Sequence, residues 1–272
     1  MPIKSLYLEL TSLCNLKCPY CFNYSNELPV KAHKFDDLVK IVKQAKQINP
    51  IEEVVFSGGE AILHPSWRNI VEFVKSLDLD VSLITNGIGI TPAIVDFLIA
   101  HNVKVALSLG GTNKEEDAPL RGLKAWERSI KGLNLLSESG IKPGVIYIIH
   151  KENLLSEKRA VDFLTKFDLS WVRFVFVRKI GRASENWDRI GLTLTDKFSF
   201  LNSFSKVENN SNIDVSVVPD PDLESLSIFE GSTQLLEDEN TEVCLKYNGL
   251  VTFNDKEWGS WDDFYKDHYL KI

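Results

Sequence analysis

The chain has 272 residues, 44% of them apolar, enough for one large domain or two small ones around a sizeable core. Its net charge of −7 argues against nucleic acid as a partner, and no apolar run is long enough to cross a bilayer, so no membrane contact is expected. Four cysteines, three of them in one short stretch, point to a reducing compartment rather than a disulfide scaffold. The N-terminus, Met1-Pro-Ile-Lys, runs straight into an apolar stretch without the layout of a signal peptide, so the cytoplasm is the expected location. The charge is uneven. Residues 220–272 hold thirteen Asp and Glu against four Lys, a balance of −9, which leaves residues 1–219 at +2. That acidic tail reads as a solvated surface or, more sharply, as a docking face for a basic peptide or protein.

Residues 3–10 read as a buried strand that leads into the cysteines. Residues 34–48 then place Leu38, Ile41, Val42, Ala45 and Ile48 at helical spacing. A β-branched run at 51–56 is a second strand, and a helix over 65–77 carries Trp67, Ile70, Val71 and Val74 on one face. A third strand at 81–84 closes in Thr85-Asn86-Gly87, and Pro92 starts a helix that continues over 93–100. A fourth strand at 103–109 ends in Gly110-Gly111, and a loop with Arg121-Gly122 precedes a helix from about 123 to 138, stopped by Gly140. A strand at 144–149, a helix at 156–167 and a sixth strand at 171–177 follow. Strands alternating with helices imply βαβ units and a parallel sheet. Six units suit an open barrel, although periodicity alone also allows a flat doubly wound sheet. In both folds active sites form at the carboxyl ends of the strands. The residues that carry chemistry fall there: 14–21, 57–60, Asn86, Ser108, His150 and Arg178.

Cys14, Cys18 and Cys21 are spaced C-x3-C-x2-C. Clustered thiolates are soft ligands that select zinc or an iron–sulfur centre. Structural zinc takes four ligands, and here the local count is three. A zinc site would need Cys244 or His33 to complete it, and a third possibility is three unmodified buried thiols. The stretch resembles the radical SAM superfamily, with its C-x3-C-x-aromatic-C after the first strand of a partial barrel. Cys14, Cys18, Tyr20 and Cys21 match it, and the resemblance extends over roughly 3–183. It implies a partial (β/α)6 TIM-like barrel over residues 1–183. It also implies one [4Fe–4S] cluster on the three cysteines, with an open iron that chelates S-adenosylmethionine (SAM). Reductive cleavage of SAM to a 5′-deoxyadenosyl radical and hydrogen abstraction from a substrate follow from the same resemblance.

Gly58-Gly59-Glu60 lets backbone approach a ligand closely and supplies a carboxylate. On its own it is an ordinary turn; after the second strand it resembles the family motif for the amino group of SAM, a charge-assisted contact. Ser108-Leu-Gly110-Gly111 with Arg121-Gly122 resembles a family stretch, S-L-D-G…R-G, whose serine contacts the ribose or carboxylate of SAM and whose arginine pairs with the carboxylate. Gly110 departs from it by standing where the family has Asp. Tyr20, Asn86, Ser108 and Arg121 join Gly58, Gly59 and Glu60 as expected SAM contacts. Gly181-Arg182-Ala183 is either an ordinary loop or a match to the peptide-modifying branch. His64 and His101 are expected to be structural, and His150 and Arg178 are candidates for substrate contact by position.

Residues 184–272 are expected to form a small α+β extension, with a helix near 196–207 and an added strand at 213–218. An acidic loop from Asp220 follows, then Cys244, a hairpin turning at Gly249 and a short helix ending near Phe264. This outline resembles a worn SPASM or twitch domain without auxiliary-cluster cysteines, since Cys244 alone cannot hold a four-iron cluster. The resemblance implies a radical SAM enzyme that modifies a ribosomally made peptide by epimerisation, cross-linking or other C–H functionalisation. Its expected partners are an electron donor such as flavodoxin or ferredoxin and a leader-peptide-binding protein. The rivals are radical chemistry on a small molecule, by dehydrogenation or rearrangement, and a zinc-stapled binding protein.

Overall fold

The computed structural model describes residues 3–48, 51–218, 220, 241–246, 250–253 and 256–263. Six strands alternate with helices in the expected order. These are β1 (Ile3–Glu9), α1 (Phe35–Ile48), β2 (Glu53–Ser57), α2 (Trp67–Lys75), β3 (Asp80–Thr85), α3 (Pro92–Ala100) and β4 (Lys104–Leu109), then α4 (Lys114–Arg121), α5 (Ala125–Glu138), β5 (Gly144–Ile149), α6 (Glu157–Leu164) and β6 (Trp171–Phe176). Short helices α7 (Arg182–Glu185) and α8 (Trp187–Ile190) lead to α9 (Leu194–Phe204) and β7 (Asp214–Val217). The C-terminal strands are β8 (Thr241–Leu245), β9 (Leu250–Phe253) and β10 (Lys256–Ser260). The strand order is β10-β9-β8-β1-β2-β3-β4-β5-β6-β7. From β8 to β7 every pairing is parallel, whereas β9 and β10 are antiparallel. The sheet is therefore an open parallel α/β arc, which resolves the choice between the two parallel folds. The added strand expected near 213–218 is β7, on the far edge of the arc.

Side-chain parity explains how the arc holds itself and what it leaves open. One face of each strand, as with Leu6 and Leu8, Val54 and Phe56, Leu83, Leu107, Tyr147 and Phe174, is buried with Leu38, Ile70, Leu98, Leu133, Leu164 and Phe200 of the helices. Burying each such side chain contributes roughly 1.5–3 kcal/mol. The other face, including Tyr7, Ser82, Ile84, Ser108, Ile146, Ile148 and Val175, is half-exposed. This concave face has a cavity of about 830 Å³ at the amino ends of the strands, lined by Tyr7, Val55, Ile84, Ala106, Ile146 and Trp171 among others.

One expectation changes. The loop expected before residue 123 contains α4, so Arg121 is the last residue of a helix rather than a loop residue. Asn113 caps α4, its side chain accepting from the Glu116 N–H at 2.9 Å. The hairpin near Cys244 is present as β8 and β9, and β8 pairs parallel with β1, Cys244 lying opposite Tyr7. The acidic loop over 221–240, the turn at Gly249 and the end of the last helix lie outside the described residues. No helix among the described residues is long and apolar enough to cross a membrane.

Candidate active site

The cysteine loop is an excursion from the end of β1 whose two ends are tied together. Thr11 bridges Ala32, Ser12 N–H donates to Lys31 O at 2.7 Å, and His33 N–H donates to Leu10 O at 3.1 Å. The next loop, after β2, docks on it backbone to backbone. Gly59 N–H donates to Thr11 O at 2.7 Å and Glu60 N–H to Leu13 O at 2.8 Å. A Cβ on Gly58 would lie 2.6 Å from Thr11 O, and one on Gly59 would lie 2.3 Å from Leu13 O. The close approach that the two glycines allow is thus to the cysteine loop itself.

The dock buries Glu60, which is 1% exposed. Its carboxylate accepts from Thr85 Oγ1 at 2.7 Å and from Asn86 N–H at 2.9 Å. Burial pushes the carboxyl up from 4.5 to about 7, against the bonds from Asn86, Thr85 and Ile62 that favour the ionised form. The folded chain then holds this proton more tightly than the unfolded chain, so stability falls as pH rises from about 4.5 to about 7. The shift corresponds to roughly 3 kcal/mol. Glu60→Gln is expected to flatten this slope in denaturant titrations of the cofactor-free chain. An unchanged slope in the variant would assign it to other groups.

Asn86 links this carboxylate to the first thiol. Its side-chain amide donates to Asn15 Oδ1 at 2.7 Å and lies 3.9 Å from Cys14 Sγ. Its carbonyl accepts from Ser129 Oγ at 2.7 Å and Arg121 Nη2 at 3.2 Å. Arg121 also donates to Asp117 Oδ1 at 3.2 Å, and both side chains are buried, 1% and 0% exposed. Burial raises the Cys18 thiol, and the charge of Arg121 opposes that rise. Tyr20 stacks on the His150 ring at 6.3 Å and its hydroxyl bonds Cys18. Gly110 has a steric reason here. A Cβ there would lie 3.0 Å from the Tyr20 hydroxyl and 3.4 Å from Asp117 Oδ1, so the space of an Asp side chain is already taken.

Cys14, Cys18, Tyr20, Cys21, Gly58, Gly59, Glu60, Asn86 and Arg121 therefore gather at the carboxyl ends of β1 to β4, and Ser108 stands half-exposed on the concave face of β4. His150 is a correction. It is fully buried, its Nδ1 accepts from Glu152 N–H at 3.2 Å, and its Nε2 donates to Gly110 O at 3.1 Å, so it caps the turn after β5 rather than facing a substrate. Arg178 is exposed past β6. His64 is structural as expected, donating to His33 O at 2.8 Å and accepting from Ser66 N–H. His101 bonds Phe97 O at the end of α3.

Sequence reasoning missed Asp117, Glu9 and Asn23. Asn23 Nδ2 donates to Glu9 Oε1 at 2.7 Å inside the loop, and no local pattern marks such a long-range pair. It also gave Arg182 no function. The pair Asn113 and Glu116, a cap with an acidic residue three positions on, is the signal that would have found α4.

Residues 8–164 match the sequence family described as the Radical SAM superfamily. The chain belongs to that superfamily. Among curated relatives, an AdoMet-dependent heme synthase of Methanosarcina barkeri is 26% identical, over 89% of this chain and 67% of that protein. The mycofactocin maturase MftC of Mycolicibacterium smegmatis is 25% identical, over 66% of this chain and 46% of that protein. Among solved structures, Streptococcus suis SuiB bound to S-adenosylmethionine superposes with a TM-score of 0.76 at 18% identity, covering all of this chain and 65% of SuiB. The chain thus spans about half to two thirds of the length of these relatives.

The radical SAM cofactors are a [4Fe–4S] cluster and SAM, and the donor set suits such a cluster. Burial pushes the Cys14 thiol up to about 12, and the charges of Cys18 and Cys21 add to that rise. Neighbouring thiolate charge thus opposes ionisation of Cys14, and a cation held by the loop would relieve it. Neither expected fourth zinc ligand is at hand. Cys244 lies beside Tyr7, on a strand rather than in the loop, and His33 Nε2 is bonded to Lys246 O at 2.8 Å. Among the described residues no three metal-ligating side chains are already closed around one point.

Proposed function

We propose that this chain is a radical SAM enzyme in which Cys14, Cys18 and Cys21 hold one [4Fe–4S] cluster. The observation that carries the assignment is the single hydrogen-bonded mesh from Cys14 through Asn86 to Glu60 and Arg121, at the carboxyl ends of the strands. The cluster, when bound, supplies the electron that cleaves SAM. The chain's own groups bind and orient. Glu60, held by Thr85 and Asn86, accepts from the ammonium of SAM, and the Gly58-Gly59 turn fixes that carboxylate against the cysteine loop. Arg121 and Ser108 supply donors for the carboxylate and ribose, and Tyr20 orders Cys18.

The substrate we propose is a ribosomally made peptide. The reading is supported by MftC, named a maturase, and by SuiB, whose structure is also known with its precursor peptide SuiA. Residues 184–272 then serve as a SPASM- or twitch-like remnant beside the barrel, and a flavodoxin- or ferredoxin-like donor supplies electrons. The heme synthase relative favours a second reading, radical chemistry on a small molecule.

Anaerobic purification with iron and sulfide analysis, followed by SAM and a reductant, tests the chemistry. About four irons per chain and release of 5′-deoxyadenosine are expected. Cys18→Ala is expected to lose most of that iron and Cys244→Ala to keep it. Iron that depends on Cys244, or a colourless zinc protein that leaves SAM intact, would overturn the assignment. Incubation with candidate precursor peptides, read by mass spectrometry, separates the peptide reading from the small-molecule one.

A further inference from the structure

We infer that Arg182, with Gly181 before it, is a positioning residue that clamps the cysteine loop from the opposite end of the arc. The inference rests on the assignment of Cys14, Cys18 and Cys21 to the cluster only for its consequence, not for its geometry. Arg182 is 5% exposed. Its Nη1 donates to the carbonyl of Cys18 at 3.0 Å, its Nη2 donates to the carbonyl of Ser25, and its Nε and Nη2 each lie 3.2 Å from Glu27 Oε1. One planar guanidinium thus gathers three points spread over residues 18–27, which a lysine with its single ammonium cannot do. The backbone before it is pressed on the same loop. Gly181 has φ +57°, and a Cβ there would lie 2.1 Å from Phe22 O and 2.9 Å from Asn23 N. The Arg182 carbonyl is itself fixed by Asn186 Nδ2 at 2.9 Å.

The topology shows why a clamp is needed at this place. β1 and β6 stand five places apart in the strand order, so no ladder joins the loop after β1 to the end of β6. In a closed barrel strand pairing would fix that loop from both sides. In this open arc residues 11–13 of the loop are docked by the Gly59 and Glu60 amides, and side-chain contacts join Asn15 to Asn86, Tyr20 to His150 and His33 to Lys246. Within residues 18–27 its other backbone bonds are few, among them Asn26 N–H to Ser12 O at 2.7 Å and Cys21 N–H to Cys18 O at 3.2 Å. The guanidinium ties this sparsely bonded stretch to the segment after β6. Because it holds the carbonyl of Cys18, it sets the orientation of that residue relative to the rest of the loop.

The test uses the full chain as wild type, Arg182→Met, Arg182→Lys and Arg189→Met, the last removing an exposed arginine that bonds Glu152. Hydrogen exchange of the cofactor-free protein, read by mass spectrometry, is expected to rise in Arg182→Met over residues 18–27, with strands β2 to β5 unchanged. Iron release from the reconstituted protein to a chelator is expected to be about tenfold faster, the range seen when groups behind metal ligands are removed. Arg182→Lys is expected to fall between, and Arg189→Met to match wild type. Wild-type exchange over 18–27 in Arg182→Met overturns the clamp. If Arg182→Met does not fold, wild-type exchange there in Arg182→Lys does the same. A wild-type chain that takes up no iron sinks the cluster assignment, and the exchange experiment still decides the clamp.

Discussion

Replacing Gly59 by alanine is expected to abolish stable iron binding and to lower the denaturation midpoint. The added Cβ would lie 2.3 Å from Leu13 O, 2.7 Å from Leu13 C and 2.8 Å from Ser12 O, all of them backbone atoms. No side chain can swing aside to relieve the contact. The Ser12–Leu13 backbone would have to retreat by roughly 1 Å to reach ordinary contact distance, and it is held where it is by Gly59 N–H to Thr11 O and Glu60 N–H to Leu13 O. Relief breaks at least one of those bonds and moves Cys14, the next residue. Overpacking of this kind costs typically 1–3 kcal/mol, and the displaced thiol would remove one of the three proposed ligands. Gly122→Ala is the control. It has φ +101° and ψ +152° with nothing within 4 Å of the added methyl, so roughly 1–3 kcal/mol of backbone strain is expected with iron unchanged. Iron per chain and the midpoint in denaturant check both variants. A Gly59→Ala protein with wild-type iron would show that the dock between the two loops does not shape the cysteine site.

The contrast between Gly59 and Glu60 shows what a sequence can and cannot disclose. The motif is visible because its residues are adjacent, and its position after the second strand follows from periodicity. The strand at 144–149 and the helix begun by Pro92 were legible for the same local reason and agree with β5 and α3. The atoms that require glycine belong to residues 11–13, more than forty positions away, so motif reading assigned the space to a ligand. Helix α4 stayed hidden because Pro119 lies inside it, and proline argues against helix. The pairing of β8 with β1 joins residues more than 230 apart, which no local pattern encodes. His150 was misread because position at a strand end says nothing about which way a side chain turns. The parallel arc and the position of the cysteines and Glu60 at the strand ends were legible; the bonds that join Glu60, Asn86 and Arg121, and those of Arg182, depend on the closure of the fold.

Arg121→Met is expected to cost roughly 3–5 kcal/mol at neutral pH, the range for leaving one member of a buried ion pair without its partner. Asp117 would keep only the Gly110 N–H, since its Oδ2 has no bonded partner already. The carbonyl of Asn86 would lose one of its donors and Ser129 would lose a contact. The pH dependence has a definite sign. Burial already raises the Asp117 carboxyl despite Arg121 beside it, so removing the arginine raises it further. The folded variant then binds a proton that the unfolded chain has released, and its stability recovers as pH falls. Denaturant titrations of the cofactor-free variant at about pH 7.5 and about pH 5.5 should show that recovery. Asp117→Asn in the Arg121→Met background should reproduce it at the higher pH, because the amide carries no charge to strand. A loss under about 1 kcal/mol, or no rescue by Asp117→Asn, would mean the pair is weaker than its burial implies. The same variant should bind SAM less tightly than Asp117→Asn alone, which keeps the guanidinium on Asn86 and Ser129. Stability tests the ion pair, and SAM affinity tests the proposed role of the arginine. The double variant separates the two, because it recovers the first without restoring the second.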